Sequence, residues 1–115
     1  GIINNKCLPP VEIQTNNIFY NYEAKYLSNE TSLIEADLSE EKKEEIQQMA
    51  LNAFHACGCK SWARVDFLQD NNGNFFVIEI NTAPGMTSHS LVPKAGSFLG
   101  LSYEEVLKNI INASL

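Results

Sequence analysis

The sequence predicts an α+β fold, an antiparallel sheet with helices packed on one side, and three observations carry that reading. Two stretches of strand-like residues, Trp62 to Leu68 and Phe75 to Asn81, flank an Asn72-Gly73 dipeptide, the pattern of an antiparallel hairpin. An amphipathic segment from Ser39 to Cys57 precedes that hairpin. Two further helical segments with serine caps follow it. The 115 residues suit one domain or one piece of a larger one. A composition of 44% hydrophobic and 19% charged residues belongs to a globular chain, not a disordered one.

Gly1 to Gln14 reads as a short hairpin, with apolar Ile2-Ile3, turn-like Asn4-Asn5-Lys6 and alternating Val11-Glu12-Ile13. Pro9-Pro10 suits a strand start or an edge. The polar and aromatic stretch from Thr15 to Tyr26 follows neither period and is long for a connection, and such loops are often functional. Ser39 is a good helix N-cap with Glu40 and Glu41 in the first turn. Ile46, Met49, Ala50, Ala53, Phe54 and Cys57 then form one apolar stripe, and Gly58 supplies the stop. After the hairpin, Thr82 to Ser88 is a loop containing Pro84-Gly85. A helix runs from about Ser90 to Leu99. The last helix starts at Ser102, where Ser102-Tyr103-Glu104-Glu105 is a capping box, and Val106, Leu107, Ile110 and Ile111 form its stripe.

Eight Lys and Arg against fourteen Asp and Glu give a net charge of −6, which argues against a nucleic-acid or anionic-membrane surface. No apolar run approaches the ~20 residues of a bilayer span, and no basic region leads into an apolar signal segment. The chain begins Gly1-Ile2-Ile3 without Met, so the native start is expected elsewhere. An odd count of cysteines, Cys7, Cys57 and Cys59, fits a reducing compartment. Zinc is disfavoured, because Cys57-Gly58-Cys59 lacks the usual spacing and a second ligand pair.

Chemistry concentrates on the central hairpin. With Asn72-Gly73 as a two-residue turn, Asp66 faces Glu79 and Arg64 faces Asn81. Opposed carboxylates repel, so a cation is expected between them. Oxygen donors from Asp66, Glu79 and Asn81 suit Mg²⁺ or Mn²⁺, with positions left for substrate phosphates. Arg64 beside them would bind an anion, the usual partner of Mg²⁺ around a transferring phosphoryl group. On the hairpin alone, an ordinary ion pair of Arg64 with Asp66 or Glu79 weighs about as much. Val65, Phe67, Phe76, Ile78 and Ile80 are expected to fill the opposite face as a rigid platform, which favours the metal. An EF-hand reading of Asp70-Asn71-Asn72-Gly73 fails, since Gly73 falls at the wrong loop position and no closing Glu follows. The loop after Asn81 offers N–H groups around Gly85 as an anion nest. Its hydroxyls stand before a helix start, with Ser88 or Ser90 as an ordinary N-cap in the plainer reading.

Arg64-Val65-Asp66 and the run Glu79-Ile80-Asn81-Thr82-Ala83-Pro84-Gly85-Met86-Thr87-Ser88-His89-Ser90-Leu91-Val92-Pro93 resemble the C-terminal part of the D-alanine–D-alanine ligases, an ATP-grasp family. Phe19 to Tyr26 resembles the family's mobile loop over the active site. The resemblance covers essentially the whole chain and implies the C-terminal half of an ATP-grasp domain. It also implies ATP-dependent joining of two D-alanines through an acyl phosphate, for peptidoglycan precursors in the bacterial cytoplasm. Asp66, Glu79 and Asn81 would bind two Mg²⁺ (or Mn²⁺), Glu79 bridging. Arg64 and the Gly85 N–H would stabilise the oxyanion and phosphate. Ser90 and the Leu91 backbone would hold the second D-alanine's carboxylate, Lys25 would reach the ATP phosphates, and Tyr20 and Tyr26 would order the loop. The family pattern adds an N-terminal domain and an upstream ATP-binding half. The chain is therefore expected to act with the remainder of the same polypeptide, in a homodimer, and to be inactive alone. Ala63 stands where relatives often have Gly, a mild change. The alternatives are another ATP-grasp carboxylate–amine ligase, such as a D-alanine–D-lactate type, or a non-catalytic cation- or nucleotide-binding module.

Overall fold

The computed structural model describes residues 1–14, 32–87 and 89–115. Its first turn places Asn4 and Asn5 at positive φ, 52° and 62°, a region asparagine tolerates better than most residues. Two such residues in sequence make the tight turn that right-twisted strands accept. β1 (Ile2–Ile3) and β2 (Lys6–Cys7) accordingly pair antiparallel, Ile2 with Cys7 and Ile3 with Lys6. The chain leaves this sheet through buried Leu8 and Pro9. β3 (Val11–Gln14) then pairs with β4 (Ser32–Glu35) in a separate two-stranded ladder, Val11 against Glu35. The stretch expected as one hairpin over Gly1 to Gln14 is thus shared between two sheets. The active-site loop expected over Tyr20 to Tyr26 lies outside the described residues.

α1 (Glu40–Ala56) begins as its cap residue requires, the Ser39 hydroxyl accepting from the Lys42 N–H at 3.2 Å. It ends where Gly58 takes φ 71°, and Cys59 N–H closes back on the Phe54 carbonyl at 3.0 Å. Phe54 is fully buried. All three cysteines are free thiols. Cys7 donates weakly to the Gln47 carbonyl at 3.5 Å, and burial pushes its thiol pKa up.

β5 (Trp62–Gln69) and β6 (Phe75–Asn81) complete a four-stranded antiparallel sheet of order β2-β1-β5-β6, with Ile2 opposite Ala63 and Ile3 opposite Trp62. Consecutive strand residues point to opposite faces. Ile2-Ile3 and Trp62-Ala63 are apolar at both, so each face needs a cover. On one face Ile2, Ala63, Val65 and Ile80 meet Phe54, Ala50 and Leu51 of α1. On the other, Ile3, Leu8 and Trp62 meet Val92 and Ala95 of α2 (Leu91–Ser97) and Val106 and Ile110 of α3 (Tyr103–Ser114). The antiparallel sheet with helices is as expected, while the helices divide between the two faces where one side was anticipated.

α2 is shorter than anticipated, and it admits Pro93 because a first-turn residue needs no intrahelical donor. Gly96 lets α2 and α3 cross closely, since a Cβ there would drive into Val106. The capping box of α3 is formed in both directions, Glu105 N–H to Ser102 Oγ and Ser102 N–H to Glu105 Oε1, each 3.1 Å. Among the described residues no helix is long and apolar enough to cross a membrane.

Candidate functional site

The hairpin reaches the expected juxtaposition by an unexpected route. Asp70 and Asn74 close the loop, Asp70 N–H donating to the Asn74 carbonyl at 3.0 Å. Three residues, Asn71 to Gly73, therefore make the turn, with Gly73 at φ 85°. That shifts the register by one from a two-residue turn. A bulge at Ile78 shifts it back, because Phe67 pairs with Val77 but Asp66 pairs with Glu79. Arg64 opposes Asn81 as predicted. The platform is corrected in the same step. Beyond the bulge Phe76 pairs with Leu68 and shares the Asp66 side of the sheet, while Val77 and Phe75 join Phe67. Ile78 is the unpaired bulge residue and is 55% exposed.

Arg64 is only 7% exposed, and a guanidinium cannot be buried at tolerable cost without an anion. It has one two residues along its own strand. Nε donates to Asp66 Oδ1 at 2.8 Å and Nη2 to Oδ2 at 3.0 Å, the planar two-bond geometry that makes Arg–carboxylate pairs strong. Nη2 also lies 3.6 Å from Glu79 Oε1. One guanidinium thus stands against both opposed carboxylates and relieves their repulsion. The ion pair weighed in the sequence is present, but its guanidinium is buried, with Asp66 partly covered and Glu79 about half open.

The donors fit a hard cation. Among the described residues no three His, Cys, Asp or Glu side chains cluster. The trio expected from sequence holds only two acids, its third member being the amide of Asn81, two residues along β6 from Glu79 and opposite Arg64. Each Asp66 oxygen accepts one guanidinium bond and keeps a further lone pair, and Glu79 opens outward. Asn81 Oδ1 accepts the Ala83 N–H at 2.9 Å, which fixes its side chain and starts the following loop.

That loop carries Gly85 and Ser90 side by side, since a Cβ on Gly85 would lie 3.3 Å from Ser90 Oγ. Ser90 sits at the N-cap position of α2 but does not cap it with its side chain. Its hydroxyl turns back to Thr87, accepting from the Thr87 N–H at 3.0 Å and meeting Thr87 Oγ1 at 2.8 Å. Leu91 opens α2, half-buried. From α3, the Tyr103 hydroxyl donates to the Met86 carbonyl. The structure therefore gathers Arg64, Asp66, Glu79 and Asn81 at the hairpin root and Gly85, Ser90 and Leu91 along the loop that leaves it. Lys25, Tyr20 and Tyr26 lie outside the described residues. Thr87 and Tyr103 were not singled out from sequence. Tyr103 lies 17 positions from its partner, and only its place in a capping box was legible.

Comparison with known proteins points one way. A family model described as D-ala D-ala ligase C-terminus matches residues 1–112. A D-alanine–D-alanine ligase from Saccharophagus degradans is 46% identical over 116 residues, covering 100% of this chain and 37% of that protein. A crystal structure of a D-alanine–D-alanine ligase from Bacillus anthracis complexed with ATP superposes with a TM-score of 0.81 at 32% identity, over 98% of this chain and 35% of that one. The ligase from Coxiella burnetii gives a TM-score of 0.67 at 37% identity, over 74% of this chain and 25% of that one. The chain spans a little over a third of the length of the curated relative.

Proposed function

Because the chain belongs to the D-ala D-ala ligase C-terminus family, we propose that it forms the metal- and phosphate-facing wall of an ATP-dependent ligase that joins two D-alanines. In this reaction the γ-phosphoryl of ATP passes to a carboxylate oxygen of one D-alanine, releasing ADP. The amine of the second D-alanine attacks the acyl carbon of that acyl phosphate. The tetrahedral intermediate collapses, phosphate leaves, and the amine nitrogen gives up a proton.

Asp66, Glu79 and Asn81 would hold two Mg²⁺ or Mn²⁺ ions, Glu79 serving both. When bound, these ions neutralise phosphate charge in the phosphoryl-transfer transition state. Arg64, locked by Asp66, keeps its charge and orientation without reorganisation and would donate to the phosphate and the developing oxyanion, together with the Gly85 N–H. The Ser90 hydroxyl and the Leu91 N–H would hold the carboxylate of the second D-alanine. Lys25 would reach the ATP phosphates, and Tyr20 and Tyr26 would order the loop that carries it. The reading includes an upstream nucleotide-binding part of the same polypeptide, without which this segment is inactive, a homodimeric whole, and a role in peptidoglycan precursor synthesis in the bacterial cytoplasm.

The observation that carries this reading is the register pair Asp66–Glu79, with the buried Arg64 guanidinium against both. Arg64 supplies one cation to the opposed acids, and the outward-opening Glu79 carboxylate, about half exposed, offers oxygens for others. The test is Glu79→Gln in the full-length enzyme. Glu79 is more than half exposed, so the fold keeps its melting temperature. Gln keeps the volume but loses the charge and one metal-binding oxygen, so kcat falls at least a hundredfold, about 3 kcal/mol of transition-state stabilisation. Near-normal turnover in a stable variant would remove Glu79 from the metal site.

A further inference from the structure

The segment between Asn81 and α2 presents the groups assigned to the second amino acid, yet most of it is open to solvent: Thr82, Ala83, Gly85, Thr87 and His89 are all exposed. Its near end is tied by Ala83 N–H to Asn81 Oδ1. Its far end is tied by Thr87 to Ser90. Both ties are local, between residues two or three apart, and fix the shape of each end without fixing where the middle lies. The middle is held from elsewhere. The Tyr103 hydroxyl donates to the carbonyl of Met86, the residue immediately after Gly85, and the Met86 side chain packs on the α2–α3 core.

Tyr103 is well suited to act as a fixed post. It is the first residue of α3, directly after Ser102, whose reciprocal capping bonds with Glu105 fix the helix start. One turn on, Val106 is fully buried, and two turns on Ile110 is nearly so. A ring on such an anchor carries its hydroxyl to a defined point with only two rotatable bonds.

We propose that Tyr103 is a positioning residue for the amino-acid subsite. By holding the Met86 carbonyl, it keeps the Gly85 backbone beside the Ser90 hydroxyl. The inference rests on the reading that Gly85, Ser90 and Leu91 contact substrate, and it deepens that reading. The Ser90 oxygen can accept from both the Thr87 N–H and the Thr87 hydroxyl, which leaves its own O–H to donate to a ligand carboxylate. That donor is useful only if Gly85 keeps its distance while the ligand settles. The local ties do not supply that constraint; buried Pro84 and the packed Met86 side chain seat the middle of the loop, and the Tyr103–Met86 bond fixes the backbone carbonyl that follows Gly85.

The experiment is Tyr103→Phe in the full-length protein beside the wild type. Phe keeps the ring and its packing and removes only the donor. Backbone amide exchange is followed by mass spectrometry, and KM is measured separately for D-alanine as acceptor and for ATP. The expected result is faster exchange confined to the Gly85–Leu91 segment. With it comes a rise of about fivefold in acceptor KM, the size of one neutral hydrogen bond, with ATP KM and melting temperature unchanged. Unchanged exchange and unchanged acceptor KM would overturn the inference. So would faster exchange spread through α3 with both KM values raised together, which marks a merely structural residue. A wild type that does not ligate D-alanine would overturn the proposed function alone, and the exchange comparison would still decide whether Tyr103 holds the loop.

Discussion

At the root of the β5–β6 hairpin, polar side chains are set against protein; at its tip, apolar side chains of the same two strands are set against water. Below the bulge, Arg64 is 7% exposed, while Leu68 above it is 60% exposed and Phe76 53%. Hydrophobicity alone would sort them the other way. The difference follows from what each half is packed on. The root crosses the middle of the sheet, with β1 beside it, α1 beneath Val65 and Ile80, and α2 and α3 over Trp62. The tip projects beyond β1, which is two residues long and meets β5 only at Trp62 and Ala63. Burying a guanidinium where the packing is tightest costs desolvation, and the structure accepts that cost only with a two-bond carboxylate in place. A charge held this way is rigid, which is what a group stabilising a transient anion requires.

The strongest way to break the contrast is to remove the buried charge. Arg64→Met should destabilise the fold by about 3 kcal/mol, chiefly because Asp66 is left partly buried without its partner. Leu68→Thr at the tip should change stability by less than about 0.5 kcal/mol, as exposed substitutions usually do. Chemical denaturation of both variants measures the difference. Equal effects would mean that the root is no better packed than the tip. A double variant, Arg64→Met with Asp66→Leu, sharpens the point. Taking out both partners should recover much of the loss, since no orphaned carboxylate remains.

The same division marks where the sequence was legible. Ser39, Ser102 and Glu105 announced their caps because capping is local chemistry within one turn. The pairing of Asp66 with Glu79 was read correctly from a turn that is not there. The three-residue loop and the bulge at Ile78 displace the register in opposite senses and cancel at the root. A bulge depends on strand twist and on neighbours, and nothing in Phe76-Val77-Ile78 distinguishes it from a regular run. Between turn and bulge the cancellation fails, which is why the platform residues Phe76 and Ile78 were misplaced. The two-sided cover escaped for a related reason. Ile2-Ile3 and Trp62-Ala63 look like short apolar runs, and only the assembled sheet reveals that each pair faces both ways. Ser90 was legible as a residue before a helix. Its turn toward Thr87 and Gly85 is a loop conformation, and no period records it. The bond from Tyr103 joins two elements whose proximity exists only after α2 and α3 cross at Gly96.

The smallest effect belongs to the tip, and it depends on pH. Asp70 is the residue that closes the turn. Its carboxylate takes the Asn74 N–H at 2.8 Å, the Asn74 side-chain amide at 3.0 Å and the Asn72 N–H at 2.9 Å. Those bonds, the Asn74 backbone bond foremost, hold its pKa below the usual carboxylate value. A carboxyl whose pKa is lower folded than unfolded binds fewer protons in the native state. Its contribution is therefore fully present above the unfolded value near about 4 and fades as pH falls through the folded value. Asp70→Ala should lower stability slightly at neutral pH, and the gap between variant and wild type should close on acidification below about pH 4. Asp70→Asn keeps one acceptor oxygen and no titration, so its stability relative to Asp70→Ala should not vary over that range. Amide exchange at Asn74 reads the turn directly and should quicken in both variants, more in Ala. Exchange there that is indifferent to Asp70 would mean that Gly73, at its positive φ, and the Lys42 ammonium, which donates to the Gly73 carbonyl at 3.0 Å, hold the turn without the carboxylate. The tip would then need no carboxylate, whereas the root cannot do without Asp66, and the contrast between them would be wider still.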